Sequence, residues 1–258
     1  MTGLLRAEWI KLRSLRSTMW SLGLMVALTL GLGALATSLI MGEFDTLSPE
    51  DRAHLFADPI GLILQPGATY AQIAVLVLGA LAMAGEHSTG MIRASLLAVP
   101  RRTPVLLAKA AVLGGVVFVL GELIAFPAFF LGQAILREHV AISLGDPGVL
   151  RAVAGLGFYL SAMALVGLAV GALVRHVAGA VAATLGLVLV ASGLGELIPG
   201  RIGERVSASL PANAGQLILS SGETPGDLLS PWQGIGVLAL WVVVLLALAA
   251  WLLRRRDA

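Results

Sequence analysis

The chain has 258 residues, of which 58% are hydrophobic and only 12% charged, and its mean hydropathy is +0.93. A soluble domain of this size has too little interior to bury so much apolar surface, so the composition excludes an ordinary soluble protein. The sequence contains no cysteine, which excludes disulfides, thiolate catalysis and cysteine-ligated metal sites within these residues.

The first predicted element is a helix over residues 3–16. Its Leu5, Trp9 and Leu12 fall on one stripe flanked by basic residues, which is typical of a helix lying in the headgroup plane of a membrane. Glu8 fits this pattern poorly. A plain basic anchor that only sets the topology is an alternative interpretation of the same segment.

Six long apolar stretches follow along the chain. A bilayer core about 30 Å thick needs roughly 20 apolar residues per helix, at about 1.5 Å each. The predicted spans are 18–41, 62–85, 106–136, 151–174, 177–195 and 231–253. The sequence therefore predicts an all-α integral membrane protein with six transmembrane helices in a single domain over residues 1–258.

The loop charges predict the orientation of these spans. When the loops are assigned to alternate sides, most of the 17 basic residues fall on one side and most of the 15 acidic residues on the other. Because Lys and Arg are retained on the cytoplasmic side, both termini of this multi-pass protein of the cell membrane are predicted to be cytoplasmic. The pI of about 9.5 then reflects topology and contact with anionic lipid. We find no nucleic-acid-binding motif and predict no such partner.

Local signals predict helix starts and helix packing. A capping residue followed by proline satisfies a free amide and presets φ for the first turn. Such pairs precede the predicted helices at Ser48-Pro49, Asp58-Pro59, Thr103-Pro104, Asp146-Pro147 and Ser230-Pro231. Small residues spaced four apart indicate close helix packing or, equally well, a composition rich in Gly and Ala. They are Gly23, Ala27 and Gly31 in the first span, and Gly167 and Gly171 in the fourth.

A short cytoplasmic helix is predicted between the second and third spans. Ser88 is suited to cap it, Ile92, Leu96 and Val99 share one face, and Pro100 ends it. We expect this helix to be exposed enough for a partner to bind.

Three stretches of the chain resemble type-2 ABC transporter permeases, especially the small actinobacterial type. They are LRAEWIKLRSLRSTMWSL at 5–22, GEHSTGMIRASLLAVPRRTPVLLAKA at 85–110 and LPANAGQLI at 210–218. The resemblance covers the whole chain, and its middle stretch is the most specific. It implies a six-helix subunit that pairs with a second copy of itself or a related permease. A separate ATP-binding subunit would drive the export of a substrate.

The resemblance also implies roles for particular segments. It makes 3–16 an elbow helix, 86–102 the element that couples to the ATPase, and 196–230 an outer loop with short helices. The residues that stand at motif positions of the coupling element are Glu86, Ser88, Thr89, Gly90, Arg93, Pro100, Arg101 and Arg102.

The residues themselves predict no catalytic or cofactor site. The chain has no Gly-rich loop ending in Gly-Lys-Ser or Gly-Lys-Thr, so we do not expect it to be an enzyme. ATP and magnesium would be bound by the partner subunit. The four histidines, at 54, 87, 139 and 176, are not spaced as metal ligands.

Glu122 is the one ionisable residue between Ala110 and Leu136. A charge at the centre of a span costs about 2.5–3.5 kcal/mol on insertion scales, so we expect Glu122 to face the bundle interior. It would belong, with Gln72, to a translocation path, or it would be a protonated carboxyl that joins helices. Its partner in the second case, which we favour, would be Gln72, Thr184 or Ser192.

Other functional classes remain open. An intramembrane enzyme needs a nucleophile–base or metal constellation at membrane depth, yet no predicted span contains His or Asp. A secondary transporter usually has internal repeats and broken polar helices, which we do not find here. A non-transporting assembly partner is not excluded. If the chain transports, its sparse polarity favours an amphipathic or hydrophobic cargo.

Overall fold

The computed structural model describes residues 2–91, 102–190, 199–222 and 228–255, which are predominantly helical and contain no strand. The helices are α1 (Thr2–Ser14), α2 (Arg16–Gly42), α3 (Pro49–Ala57), α4 (Pro59–Ser88), α5 (Arg102–Leu136), α6 (Val149–Val174), α7 (Val177–Leu185), α8 (Arg201–Ala208), α9 (Pro211–Gln216) and α10 (Pro231–Arg255). Five of them, α2, α4, α5, α6 and α10, are long and apolar enough to cross a membrane. The described chain is thus an all-helical, multi-pass membrane protein.

Three of the five proline-marked helix starts are confirmed. The other two differ, because α5 begins at Arg102, one residue before Thr103, and α6 begins at Val149 with Gly148 as its N-cap in place of Asp146. The Ser48 hydroxyl accepts a hydrogen bond from the Asp51 amide, and the Asp58 carboxylate accepts one from the Gly61 amide, each at 3.2 Å. These caps open α3 and α4. At α10, Ser230 is the residue before the first proline, and the Gln233 side chain accepts from its amide at 2.9 Å. Local chemistry therefore sets these three starts.

The predicted span at 177–195 has a different form among the described residues. α7 has only 9 residues and continues as a π-helical turn of 5 residues, Gly186–Val190. Residues 191–198 lie outside the described part of the chain. The structure therefore shows five candidate spans where six were predicted, and the sixth stays a prediction.

Polar contacts define two ends of the bundle. At one, the α1 end, α1 contacts the last turn of α4 and the beginning of α5. Arg254 of α10 donates to the Thr103 hydroxyl at this same end, at 2.9 Å. At the other, the α3 end, Asp58 bonds Ser221 and Arg151 bonds the Ser221 carbonyl. Helix α6 runs from the level of Arg151 at the α3 end to Val174, and Ala180 of the following α7 packs against Ala80 and Ala84, close to the last turn of α4. The stretch from α7 to Ser221 therefore begins at the α1 end and finishes at the α3 end.

Helices α4 and α6 form the centre of the bundle, because glycines bring their backbones together. A Cβ on Gly167 would lie 2.1 Å from the Leu76 carbonyl oxygen, and one on Gly171 would lie 2.6 Å from that of Ala80. The close packing predicted for Gly167 and Gly171 is confirmed. Gly23 and Gly31 of α2 have no atom within 4 Å of such a Cβ among the described residues, so their spacing does not mark a helix contact there.

Candidate functional site

Four charged side chains from three helices meet at the α1 end. We call them the charge cluster: Glu8 and Lys11 of α1, Glu86 of α4 and Lys109 of α5. The Lys109 ammonium lies 2.5 Å from a Glu8 oxygen and 2.8 Å from Glu86 Oε1. The Lys11 ammonium lies 2.8 Å from Glu8 and 3.0 Å from that same Glu86 oxygen. Two carboxylates and two ammonium groups leave the cluster with no net charge.

The charge cluster is buried. Glu8 and Glu86 are each 4% exposed, and Lys109 is 5% exposed. Removing an ion from water costs several kcal/mol, so a buried ion network adds little net stability, but it is strongly destabilised when one partner is removed. The cluster therefore joins α1 to α4 and α5, and we expect the loss of any one of its charges to be costly.

Lys11 lies at the more accessible side of the charge cluster. Burial lowers the pKa of its ammonium group, but the hydrogen bonds to Glu8 and Glu86 outweigh that effect and hold the pKa above its ordinary value. A pKa raised by folding means that the stabilising contribution of Lys11 is fully present at neutral pH. It is lost only as the pH rises through the raised pKa.

Glu8, which fitted the sequence pattern poorly, lies on the face of α1 that contacts the bundle. Leu12 is buried in the core, whereas Leu5 and Trp9 are exposed. Glu8 points inward and reaches Lys109 across 101 positions of sequence. Leu15 has an extended backbone and separates α1 from α2, so α1 is a helix distinct from the first span. Its location in the headgroup plane stays a prediction.

The predicted ATPase-coupling element begins with Glu86, in the last turn of α4. Ser88 ends α4, and Ser88, Thr89 and Gly90 are exposed. The Thr89 amide and hydroxyl both donate to the Gly85 carbonyl, at 3.1 and 2.9 Å. Gly90 has φ of +72°, a left-handed conformation in which a side chain is strained, so the helix stops sharply here.

The rest of the predicted coupling element is only partly described. Arg93, Pro100 and Arg101 lie outside the described residues, as does the short helix predicted around Ile92. Arg102 begins α5. The segment therefore leaves α4 after Ser88 and enters α5 at Arg102.

Gln72 belongs to a buried hydrogen-bond network midway along α4. The Tyr159 hydroxyl of α6 donates to the Gln72 side-chain oxygen at 2.5 Å. Gln216 of α9 donates from its amide to the Tyr159 oxygen at 3.3 Å and to the Thr69 hydroxyl at 3.2 Å. The network joins α4, α6 and α9, and it satisfies these polar groups without a ligand.

Glu122 is placed apart from Gln72. It packs against Gly157 of α6, where a Cβ would lie within 2.3 Å of Glu122 Oε1, and this buried oxygen has no hydrogen-bond partner among the described residues. The predicted bonds to Gln72 and Thr184 are therefore wrong. The Gln72 oxygen accepts from Tyr159, and the Thr184 hydroxyl donates to the Ala180 carbonyl on its own helix. Ser192 lies outside the described residues.

Residues 209–221, which we call the inserted segment, dip into the bundle from the α3 end. The Ser209 carbonyl accepts from the Trp241 indole at 2.9 Å, and Trp241 lies ten residues into α10, or roughly 15 Å along it. At the far end of the segment, the Asp58 carboxylate accepts from both the amide and the hydroxyl of Ser221, each at 2.7 Å. Arg151 donates to the Ser221 carbonyl at 3.0 Å. A carboxylate and a guanidinium thus fix where the segment leaves the bundle.

Sequence reasoning missed the partners in these contacts. It counted Lys11 and Lys109 among the basic residues that predict the orientation, and it gave no role to Tyr159 or Gln216. The sequence did contain a signal for the charge cluster. Glu8 lies on an otherwise apolar helical stripe, and the opposite charges of Glu86 and Lys109 lie at the adjoining ends of two spans. No comparable signal marks Tyr159.

The fold and these contacts define a multi-pass helical membrane protein. Polar side chains join its helices at each end of the bundle and once in the middle. Among the residues that the structure describes, no group of three or more metal-ligating side chains comes together. No protein-family model matches the chain, and comparison with curated proteins gives no significant match.

Proposed function

We propose that the chain is the membrane-spanning permease subunit of an ABC transporter. It would export a substrate across the cytoplasmic membrane with ATP hydrolysed by a separate subunit. The observation that carries the proposal is the charge cluster, which links α1 to the ends of α4 and α5 where segment 86–102 connects them. That segment is the one whose residues resemble the ATPase-coupling element of type-2 permeases.

The charge cluster supports a mechanical role for α1. In the proposed cycle, ATP binding closes two ATPase subunits, which push on segment 86–102. Lys109 and Lys11 each contact both Glu8 and Glu86, so the ends of α4 and α5 move together with α1 as an elbow. The tight glycine contacts between α4 and α6 carry this motion inward, since a close-packed interface transmits displacement. The bundle then changes from inward to outward access.

The proposed topology has six crossings with both termini in the cytoplasm. The positions of α7 at the α1 end and Ser221 at the α3 end support a sixth crossing, made by a short helix and the stretch after it. In this orientation the α1 end is cytoplasmic. The inserted segment lies near the exit on the outer side.

The proposed complex contains two permease chains and two ATPase subunits, with ATP and magnesium bound by the ATPases. The cargo in this proposal is amphipathic or hydrophobic. The interior polar groups at Gln72, Tyr159 and Gln216 bond one another, which leaves them less free to bind a hydrophilic solute. Transport of small hydrophilic ions alone would contradict this choice of cargo.

Co-purification tests the proposed function. The tagged full-length chain, solubilised gently from its native membranes, is expected to bring down a P-loop ATPase in near-stoichiometric amount. The double variant Arg101→Glu with Arg102→Glu is expected to lose it, because two reversed charges at the docking element repel a complementary surface.

A matched control reverses two charges elsewhere. Arg201→Glu with Arg205→Glu changes two exposed arginines on α8 and is expected to retain the ATPase. Intact, monodisperse protein that brings no ATPase would reject the permease assignment and favour a secondary transporter or an assembly partner.

A further inference from the structure

Glu122 lies near the middle of α5, roughly 30 Å from the beginning of this helix and 20 Å from its end, on the seam between α5 and α6. Its Oε1 atom is buried and has no hydrogen-bond partner among the described residues, and none of their ion pairs includes Glu122. A carboxylate at membrane depth is costly without a partner, and such residues mark the pathways of substrates and ions. Glu122 therefore offers a charge that its own helix bundle leaves uncompensated.

The outer side of this seam is aromatic. Phe118 precedes Glu122 by one helical turn and Phe126 follows it by one, so the three side chains form a row along α5. The ring of Phe118 meets that of Phe158 of α6, with the ring centroids 4.7 Å apart. Phe158 is 55% exposed, and Leu123, which adjoins Glu122, is 66% exposed. The seam thus opens to the surroundings of the bundle, where a molecule dissolved in the bilayer can reach it.

An unpaired carboxylate among aromatic rings selects one kind of ligand. The carboxylate supplies the opposite charge to a cation, and the faces of aromatic rings attract a cation as well. A small metal ion fits poorly, because it needs several oxygen ligands. Among the residues that the structure describes, Glu122 belongs to no group of three or more metal-ligating side chains. An organic cation, whose charge is spread over an apolar body, needs no such ligand set and can enter a bilayer.

We propose that the seam around Glu122 binds a lipophilic organic cation that arrives from the bilayer. The cationic centre lies at the Glu122 carboxylate, and the apolar body packs against Phe118 and Phe158. Binding at this seam requires no ATPase. Only the use of the site in export rests on the proposed function, for which it narrows the cargo to amphipathic cations.

Equilibrium dialysis of the purified full-length chain in detergent against tetraphenylphosphonium tests the site. Tetraphenylborate, an anion of the same shape, corrects for uptake by the detergent. We expect wild-type protein to bind the cation about tenfold more tightly than the anion, and Glu122→Gln, which keeps the size of the side chain, to lose that preference. Phe118→Leu should weaken binding of the cation about threefold. Glu138→Gln, which removes an exposed carboxylate just beyond α5, is the matched control and should bind like wild type.

A second measurement uses wild-type protein alone and remains decisive if Glu122→Gln fails to fold. Dicyclohexylcarbodiimide is an apolar reagent that labels carboxyl groups at membrane depth, and mass spectrometry of peptides locates the adduct. Tetraphenylphosphonium is expected to slow the labelling of Glu122, whereas tetraphenylborate is expected to leave it unchanged.

Three results would overturn the proposal. They are equal affinity of wild type and Glu122→Gln for the cation, labelling of Glu122 that the cation does not slow, and loss of self-association in Glu122→Gln with unchanged cation binding. The last result would show that a second copy of the chain covers the carboxyl. Each result concerns the isolated chain, so this site and the proposed function, which is tested by co-purification of an ATPase, can fail separately.

Discussion

Replacing Lys109 with methionine is expected to lower the free energy of unfolding by about 3–5 kcal/mol, the usual cost of removing one partner from a buried ion network. The variant leaves the Glu8 and Glu86 carboxylates buried in the same small volume, with Lys11 as their remaining cation. Denaturation of the purified protein in detergent, followed by circular dichroism, measures this loss. The position is 6% exposed at its side chain, so solvent screens the effect little.

Two further variants test whether the loss of stability comes from the charge cluster or would follow any substitution at the α1 end. Arg13→Met removes an exposed basic residue of α1 and is expected to change stability by no more than about 0.5 kcal/mol. Glu8→Gln combined with Lys109→Met should recover part of the loss, because it removes one uncompensated carboxylate and leaves the Lys11–Glu86 pair. Lys109→Met protein that is as stable as wild type would contradict this explanation. So would a double variant whose loss in free energy of unfolding equals the sum of the losses in Glu8→Gln and Lys109→Met, because the two residues would then not interact.

Gly167→Ala is expected to cost about 3 kcal/mol, in the upper part of the range for overpacked interiors. The added methyl would lie 2.1 Å from the Leu76 carbonyl oxygen, and that obstacle is backbone, which no rotamer change can move aside. Helices α4 and α6, the two most buried of the five candidate spans, would have to separate. Thermal unfolding in detergent measures the cost, and a weakened Tyr159–Gln72 contact should accompany it.

Gly115→Ala is the matched control for this prediction. Gly115 lies in the middle of α5, where an added Cβ meets nothing within 4 Å among the described residues. Alanine favours a helix by up to about 1 kcal/mol over glycine, so this variant should be neutral or slightly more stable. Similar melting temperatures for the two alanine variants would show that α4 and α6 are not held by close backbone contact.

The spans and their starts are the part of the fold that sequence predicts well, because they depend on local properties. A bilayer fixes the required length of an apolar stretch, and five of the six predicted stretches are long helices in the structure. The cap and the proline of a helix start are neighbours in sequence, as at Asp58 and Ser48. The small-residue spacing was less informative, since it marks a helix contact at Gly167 but not at Gly31.

Contacts between distant residues account for what sequence did not predict. Glu8 interrupted the apolar stripe that was predicted for α1. The pattern along α1 carries no information about Lys109, 101 positions away, whose contact explains why a Glu lies on this face. The inserted segment contains one helix of 6 residues and a 3-10 turn of 3 residues, both too short for a clear period. Only its contacts to Asp58 and Trp241 show that it enters the bundle. Gln72 was paired with Glu122 on polarity alone, whereas its partner is Tyr159, to which the sequence analysis gave no role.

The central claim, that the α1 end binds a separate ATPase, can be tested by site-directed photo-cross-linking in native membranes. The absence of cysteine makes Thr89→Cys a unique attachment point, and this exposed residue follows directly after α4. We expect mass spectrometry of the cross-linked product to identify a P-loop ATPase, and Glu50→Cys, exposed on α3 at the other end, to capture none. Efficient labelling of intact Thr89→Cys protein without any ATPase adduct would contradict the account.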